Sequence, residues 1–305
     1  MRIIHFDVDT ELNTYLQGEK REGSLQNVPI STDFKDIEGI TIKSVSNATK
    51  ETLKRFPNLQ LLITRTVGVD HIDLDYCKAY NIAVYHIEDY GSFNIAEHMF
   101  ALLLTGTRNI IHSQKDINQG IFSYKSHLGV ALKGKTLGVV GTGKIGLEVI
   151  KRAIVFGMNI VAYDVFQNQK AAKEFNFRYI SLEELAETAD IITLHAPLLE
   201  STKHMINENI IKKMKHDVIL INTARGALVN TEALINNIEK FRWVGLDVLE
   251  DEQHFSKEHP LIKLPNVVIT PHIAFYSDES VKKIAQETKK LVENFETGKG
   301  EGRVV

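Results

Sequence analysis

The sequence is poor in cysteine and proline and has no large excess of charge of either sign. Its 305 residues include one cysteine, Cys77, and six prolines. A single cysteine excludes an internal disulfide and a zinc site built from clustered cysteines, and we expect no metal. A reducing compartment is the simplest interpretation. The formal net charge of −3 gives no electrostatic reason to expect a nucleic acid or an acidic membrane surface as a partner.

Long apolar runs and internal repeats are also absent. The longest apolar run covers residues 99–104, far short of the roughly 18 needed to span a bilayer. The first ten residues include Arg2, His5, Asp7 and Asp9 and do not resemble a signal peptide. Hydrophobic residues make up 43% and charged residues 25%, as in globular proteins. We therefore expect a cytoplasmic protein of about two domains, at roughly 150 residues per domain.

Short β-rich segments alternate with longer helical patterns along the whole chain. The predicted strands cover 3–8, 39–45, 59–64, 82–86, 136–140, 159–163, 178–180, 191–194, 218–221, 244–248 and 267–270. Helical patterns cover 48–56, 73–79, 92–119 and 278–296. This alternation predicts an α/β protein whose parallel sheets are covered by helices.

A glycine-rich turn, GTGKIG at 141–146, joins a predicted strand to a predicted helix. Gly141 permits the tight turn, Gly143 lets a pyrophosphate approach the backbone, and Gly146 lets the helix lie close to the strand. Lys144 and Ile145 complete the helix N-terminus, where free N–H groups favour an anion. The unit from 136 to 164 has the length of a βαβ dinucleotide-binding unit. The alternative is a glycine-rich turn in an α/β domain that binds no nucleotide.

Asp164 ends the strand that follows, eighteen residues after Gly146. A carboxylate there can accept hydrogen bonds from the ribose hydroxyls and would repel a 2′-phosphate. The sequence therefore predicts NAD as cofactor rather than NADP. A solvated strand end is the alternative for Asp164.

Three charged residues, Arg225, Glu252 and His272, lie just beyond predicted strand ends in the second half of the chain. Ligands of doubly wound sheets bind outside the carboxyl ends of the strands. A histidine can give a proton to a carbonyl oxygen, a carboxylate can orient it, and an arginine can bind a substrate carboxylate. A 2-oxo acid presents both groups on adjacent carbons. For any one of these residues alone, an ordinary loop charge is the better interpretation; for the set of three it is not.

These motifs together resemble the D-2-hydroxyacid dehydrogenase family. Beside GTGKIG, the resemblance is carried by NTARGALV at 222–229, GLDVLEDE at 245–252, LPNVVITPHIAFYS at 264–277, LHAPLLESTKHMIN at 194–207, TRTVGVDHIDLDYC at 64–77 and YGSFNIAEH at 90–98. It covers essentially the whole chain. It implies two doubly wound parallel-sheet domains, with a Rossmann cofactor domain at 100–275 inserted in a flavodoxin-like substrate domain at 1–99 and 276–305. It also implies an active site in the cleft and a homodimer.

The resemblance also implies roles for individual residues. Arg225 binds the substrate carboxylate and carbonyl, His272 is the acid/base, and Glu252 is its partner. Glu252 is preferred over Glu250 because it lies five residues beyond Asp247, as the family's glutamate does. The residues expected to line the cofactor site are His195, Pro197, Thr223, Ala224 and Asp247, with Asp247 on the nicotinamide side.

On the substrate side, the resemblance places backbone amides of the Val67–Gly68 turn on the substrate carboxylate, with a plain tight turn as the alternative. Tyr90 matches an aromatic substrate-side residue, although Gly91 and Ser92 depart from the family's usual Tyr-Ser-Pro. Phe275 and the aromatic residue that follows it form a pair that resembles the D-lactate dehydrogenase branch of the family. It is expected either to wall a small substrate pocket or to belong to the core.

The expected reaction is therefore the NADH-dependent reduction of pyruvate to D-lactate, with a small 2-oxo or 2-hydroxy acid as the partner molecule. A glyoxylate or hydroxypyruvate reductase is an alternative enzyme. A formate dehydrogenase is less favoured, because that branch has glutamine where this chain has Glu252. An NAD(H)-sensing binding protein that resembles the family's corepressors is the alternative outside enzymes.

Overall fold

A computed structural model describes all 305 residues and divides the chain into two compact units. The first unit contains Met1–Gly91 together with Tyr276–Val305, and the second contains Ser92–Phe275. No helix is both long and apolar enough to cross a membrane.

The first unit has one five-stranded parallel sheet. Its strands are β1 (Ile3–His5), β2 (Glu19–Lys20), β3 (Gly39–Ile42), β4 (Leu61–Thr64) and β5 (Ala83–His86). Its helices are α1 (Thr10–Asn13), α2 (Lys50–Leu53), α3 (Leu74–Ala79) and the C-terminal α11 (Asp278–Glu296). The strand order β2-β1-β3-β4-β5 is the flavodoxin-like order.

The second unit has a seven-stranded parallel sheet. Its strands are β6 (Thr136–Val140), β7 (Asn159–Tyr163), β8 (Arg178–Tyr179), β9 (Ile191–Leu194), β10 (Val218–Asn222), β11 (Phe241–Leu246) and β12 (Val267–Ile269). Its helices are α4 (Ser92–Thr107), α5 (Ile110–Asn118), α6 (Lys144–Val155), α7 (Gln169–Glu174), α8 (Leu182–Thr188), α9 (Glu208–Lys213) and α10 (Thr231–Asn236).

The strand order β12-β11-β10-β9-β6-β7-β8 is the doubly wound Rossmann order with one strand added. The direction of winding reverses between β6 and β9, so the turn after β6 lies at the switch point where such sheets bind ligands. Every residue of β9 and β10 is buried, because apolar clusters cover both faces of the sheet. The predicted α/β class with two doubly wound sheets is thus confirmed.

The first boundary between the units differs from the predicted one. The sequence interpretation divided the chain between residues 99 and 100, which lie inside α4. The structure assigns all of α4 to the second unit, since this helix packs against α6, β10 and β11. The second boundary falls between residues 275 and 276.

The helical pattern predicted over 92–119 is not one helix. It breaks between α4 and α5 at Asn109, whose φ of 53° is left-handed. Asparagine tolerates this conformation better than most residues, so the periodicity of the side chains continues while the helix stops.

Two predicted strands of the first unit end early for a related reason. β1 ends at His5 rather than residue 8, because Asp7 has a φ of 53°. β3 ends at Ile42 rather than residue 45, where the amide of Lys43 donates to the Asp7 carboxylate at 2.7 Å. The two-residue strand β2 was not predicted; it is too short to show a period.

Candidate active site

The glycine-rich turn after β6 is tightly built. Gly141 has a φ of 92°, and a side chain there would lie 2.7 Å from the amide nitrogen of Ala196. A side chain at Gly146 would overlap the carbonyl oxygen of Gly141. Gly143, by contrast, faces open space. Two glycines therefore permit the close packing of the turn, and the third leaves its backbone accessible at the N-terminus of α6.

Asp164 follows β7 and binds the same turn. Its Oδ2 accepts hydrogen bonds from the amide of Thr142 at 2.6 Å and from the Thr142 hydroxyl at 3.0 Å. The Thr142 hydroxyl also lies 2.8 Å from the Tyr179 hydroxyl. The Tyr179 hydroxyl in turn accepts a hydrogen bond from the amide of Asn168. The carboxylate is thus fixed by the turn, a contact that sequence spacing did not predict.

Two buried polar atoms near this turn have no partner within the chain: Nδ1 of His195, after β9, and Oγ1 of Thr223, after β10. Buried polar groups are normally satisfied, so unpaired ones at a strand edge indicate atoms that a ligand engages. Burial lowers the pKa of His195 to about 3, so its ring is neutral near pH 7. An open glycine turn, a carboxylate at the next strand end and these two atoms form a donor and acceptor set that fits a dinucleotide.

The other residues expected at the cofactor site lie on the same strand ends. Pro197 is exposed, and its carbonyl oxygen accepts from the Thr202 hydroxyl at 2.7 Å. The amide of Ala224 donates to the Asn222 side chain at 3.0 Å. Lys144 and Ile145 form the first turn of α6.

Arg225 follows β10 in a loop that the buried side chain of Asn222 holds. The Asn222 amide group donates to the Arg225 carbonyl at 2.8 Å, while its oxygen accepts from Ala224. The Arg225 guanidinium is partly exposed and donates to the Ala224 carbonyl at 2.9 Å. Asn222 was not predicted to have this role, because in the sequence it only ends a strand.

His272 and Glu252 are brought together from loops after β12 and β11. Nδ1 of His272 lies 2.9 Å from Oε1 of Glu252, and the two side chains are 26% and 35% exposed. The Phe275 ring contacts the His272 ring edge to face at 6.4 Å. Glu250 points elsewhere: its carboxylate contacts Nε2 of His204 at 2.5 Å.

Asp247, expected on the nicotinamide side of the cofactor, is held in place by neighbouring residues of the second unit. Its side chain is fully buried, and both carboxylate oxygens accept hydrogen bonds from the loop after β12. His98 and Thr270 adjoin it, and neither was predicted. His98 lies on α4, far from the motif in sequence, so spacing gives no signal for this contact.

In the first unit, the Val67–Gly68 turn follows β4 and is fixed by side chains. The Thr66 hydroxyl donates to the Gly68 carbonyl at 2.6 Å, and Nδ1 of His86 contacts the Val67 carbonyl at 2.9 Å. Tyr90 is 8% exposed, and its carbonyl accepts from the Ser280 hydroxyl.

Comparisons with known proteins identify the family of this chain. A family model described as D-isomer specific 2-hydroxyacid dehydrogenase, NAD binding domain, matches residues 100–274. An aromatic 2-oxoacid reductase of Clostridium sporogenes is 40% identical over 279 residues, which cover 86% of this chain and 84% of that relative. A hydroxypyruvate reductase of Thermotoga maritima is 35% identical, covering 83% of this chain and 82% of the relative.

Among solved structures, a D-lactate dehydrogenase from Aquifex aeolicus, in complex with NAD and lactic acid, is 38% identical with a TM-score of 0.89. The match covers 99% of this chain and 97% of that one. The chain belongs to the D-isomer specific 2-hydroxyacid dehydrogenase family. It is an NAD-dependent 2-hydroxyacid oxidoreductase.

Proposed function

We propose that this enzyme reduces pyruvate to D-lactate with NADH. The observation that carries the proposal is the 2.9 Å pair of His272 and Glu252, on loops that follow neighbouring strands, with Arg225 after the next strand. The aromatic residues Phe275 and Tyr276 after His272 support the D-lactate branch. So does the similarity to the A. aeolicus D-lactate dehydrogenase.

In this proposal His272 handles the proton. An ionised carboxylate only accepts hydrogen bonds, so Nδ1 of His272 carries the hydrogen in its bond to Glu252. That leaves Nε2 for the substrate oxygen: as an imidazolium the ring donates a proton from Nε2, and as neutral imidazole Nε2 receives one. Bound NADH would supply the hydride. Glu252 fixes the ring orientation.

Arg225 holds the substrate in the same proposal. Its guanidinium can bind a carboxylate with two hydrogen bonds and can polarise the neighbouring carbonyl. Its backbone is tied to the buried Asn222 side chain, so the guanidinium starts from a fixed point on the sheet edge. This anchoring limits the freedom that the side chain loses when it binds substrate.

The remaining sequence expectations stay proposals. We propose that the Val67–Gly68 amides bind the substrate carboxylate, and that Tyr90 and Phe275 border the substrate. Pro197, Ala224 and the turn from Gly141 to Gly146 would hold NAD, with Asp164 on the ribose hydroxyls. The cytoplasmic location also remains a prediction.

A homodimer is proposed as well. What supports it is an exposed apolar surface on α5 and the segment after it. It comprises Ile110, Ile111, Ile117, Ile121, Phe122, Tyr124 and Leu128, with Phe122 96% and Tyr124 85% exposed. A contiguous exposed apolar patch of this kind often marks a protein–protein interaction site. Sedimentation of the wild type and a Phe122→Ser, Tyr124→Ser variant tests this: we expect a dimer and a monomer, respectively.

A second substrate class is favoured by a specific finding. The C. sporogenes relative acts on aromatic 2-oxo acids and is 40% identical to this chain. Reduction of phenylpyruvate is therefore the alternative to reduction of pyruvate. The two candidates share the chemistry and differ only in the side chain that the enzyme accepts.

The test is NADH oxidation with pyruvate, phenylpyruvate, hydroxypyruvate and glyoxylate, followed by chiral analysis of each product. The proposal predicts the highest kcat/KM with pyruvate and a D-configured product. A higher value with phenylpyruvate would replace the substrate and keep the chemistry. Binding of NADH with no turnover of any of these acids would contradict the proposal and favour a nucleotide-sensing protein.

A further inference from the structure

A line of three polar side chains runs from α4 to the loop that carries His272. Nε2 of His98 lies 3.0 Å from the Thr270 hydroxyl and 3.4 Å from Oδ1 of Asp247. The Thr270 hydroxyl lies 2.5 Å from that same carboxylate oxygen. All three residues belong to the second unit. Asp247 is expected at the cofactor site, and no role has been assigned above to His98 or Thr270.

The direction of each hydrogen bond in this line follows from its atoms. A hydroxyl has one hydrogen, and an ionised carboxylate can only accept, so Thr270 donates to Asp247. The Thr270 oxygen must then accept from His98, which requires a hydrogen on Nε2 of that ring. Burial by itself would raise the pKa of Asp247, but the hydrogen bonds from His98, Thr270 and the loop amides lower it below its usual value. Asp247 is therefore ionised.

The ionised carboxylate organises the His272 loop. Its Oδ1 accepts from the amide of Ile273 at 2.9 Å, and its Oδ2 accepts from the amide of Ala274 at 2.8 Å. The carbonyl of Asp247 accepts from the amide of His272 at 2.8 Å. His272 has a φ of 55°, in the left-handed region that few residues other than glycine adopt without surrounding constraints. Asp247 supplies these constraints on both sides of His272.

We propose that His98 is a positioning residue: through Thr270 and Asp247 it fixes the left-handed conformation of His272 and so the direction of its imidazole ring. His98 is suited to this because it lies on the sixteen-residue helix α4, which packs against the sheet. The loop is thereby tied to a rigid element rather than to another loop. The inference rests on the proposed role of His272 as the acid/base.

Matched pairs of variants separate positioning from general structural damage. His98→Leu and Thr270→Val remove the hydrogen bonds, while His98→Gln and Thr270→Ser keep a donor or hydroxyl at nearly the same place. We expect kcat for pyruvate reduction to fall about ten- to hundredfold in the first pair, the range for losing hydrogen bonds to a charged group. KM and the NADH dissociation constant, measured by fluorescence, should stay near the wild-type values. His98→Gln and Thr270→Ser should keep most of the wild-type kcat.

Combined variants test whether the residues act in one line. His98→Leu with Thr270→Val should cost no more than the more damaging single change, because each breaks the same connection. In a His272→Asn background, His98→Leu should have no further effect on kcat. Unchanged kcat in both His98→Leu and Thr270→Val would overturn the inference, as would an equal loss in the conservative pair.

The same set distinguishes the two proposals. If His272→Asn leaves kcat unchanged, the proposed role of His272 is wrong. If His272→Asn abolishes turnover while the His98 and Thr270 variants remain fully active, only the positioning role is wrong. A lower melting temperature in His98→Leu, with kcat per folded molecule unchanged, would assign His98 a structural role alone and would also overturn the inference.

Discussion

The two parallel sheets of this chain both place charged side chains just beyond their carboxyl ends, but they use them differently. In the first unit Arg65 is 1% exposed and donates to the Thr41 hydroxyl and the carbonyls of Phe6 and Asp7. In the second unit Arg225, Glu252 and His272 are partly exposed. The first set satisfies polar groups within its own unit, whereas the second stays partly accessible to solvent.

The other charged side chains near Arg65 are also paired within the first unit. The Asp7 carboxylate accepts from the Lys43 amide and the Ser46 hydroxyl, at 2.7 and 2.9 Å. The Lys43 ammonium lies 2.8 Å from the Asp9 carboxylate. Burial raises the pKa of Asp7, since its charged form has little contact with water. A charge beyond a strand end therefore indicates a functional site only when part of it remains accessible.

The largest effect, on stability, is expected from replacing Arg65 in the first unit. Arg65→Met leaves two buried carbonyls without their donor and removes the positive charge beside Asp7, and we expect a loss of about 3–5 kcal/mol in the free energy of unfolding. Urea unfolding followed by circular dichroism measures it. Arg2→Met, which removes two exposed ion pairs in the same unit, is the control and should cost about 1 kcal/mol or less. Equal losses of unfolding free energy in Arg65→Met and Arg2→Met would show that Arg65 has no special role.

The second unit should respond in activity rather than in stability. Arg225→Gln removes charge-assisted hydrogen bonds of about 1.5–3 kcal/mol each, so kcat/KM for pyruvate should fall at least about tenfold. The melting temperature and NADH affinity should be unchanged. Arg242→Gln, an exposed arginine at the start of β11, is the control. Wild-type kinetics in Arg225→Gln would exclude this residue from the substrate site.

A smaller effect on stability is expected when the pH is lowered. Burial, together with the nearby charge of Arg65, lowers the pKa of His5 to about 4. Between about pH 6.5 and 4 the unfolded chain binds a proton at this residue and the folded chain does not. Stability should therefore fall with decreasing pH across this window, by up to about 1.4 kcal/mol per pH unit for this group.

His5→Gln should flatten that slope, measured as the free energy of unfolding at several pH values. His216→Gln is the matched control, because the His216 side chain is 76% exposed. Identical slopes in wild type and His5→Gln would show that His5 does not titrate differently in the folded state.

The smallest effect concerns the choice of cofactor. Asp164→Asn keeps an oxygen for the Thr142 amide and removes the charge that would repel a 2′-phosphate. The preference for NADH over NADPH should narrow about fivefold to tenfold, which corresponds to removing about 1 kcal/mol of repulsion between charges roughly 4 Å apart in water. Tyr179→Phe, which alters the same hydrogen-bonded group without changing charge, should leave the ratio unchanged. An equal narrowing in both variants would contradict the electrostatic explanation.

The sequence predicts most of this fold because the sheets are buried on both faces. Strands such as β6, β7 and β9 are short apolar runs flanked by turns, and their bounds match the prediction. The glycine spacing and Asp164 likewise identify the nucleotide-binding unit. Predictions fail where one residue leaves the regular backbone conformation, as at Asp7 and Asn109, because side-chain periodicity does not report φ.

The candidate site is predicted less completely. Sequence motifs select Arg225, Glu252 and His272, but they do not show which atoms hold them. The contacts of Asn222, Thr270 and His98 arise from tertiary packing between elements distant in sequence, and no local pattern encodes them. Both Arg65 and Arg225 follow a strand, but Arg65 is 1% exposed and bonded within its own unit, whereas Arg225 is partly exposed, and the sequence alone does not show this difference.

The most direct test of the central claim, that Glu252 is the charged partner of His272, compares two matched variants. Glu252→Gln keeps the shape of the side chain but removes the charge that the His272 ring contacts, so kcat for pyruvate reduction should fall about tenfold or more, the effect of losing a hydrogen bond to a charged group. Glu250→Gln, which alters the carboxylate that contacts His204, should leave kcat near the wild-type value. An unchanged kcat in Glu252→Gln, or a loss in Glu250→Gln instead, would contradict this account.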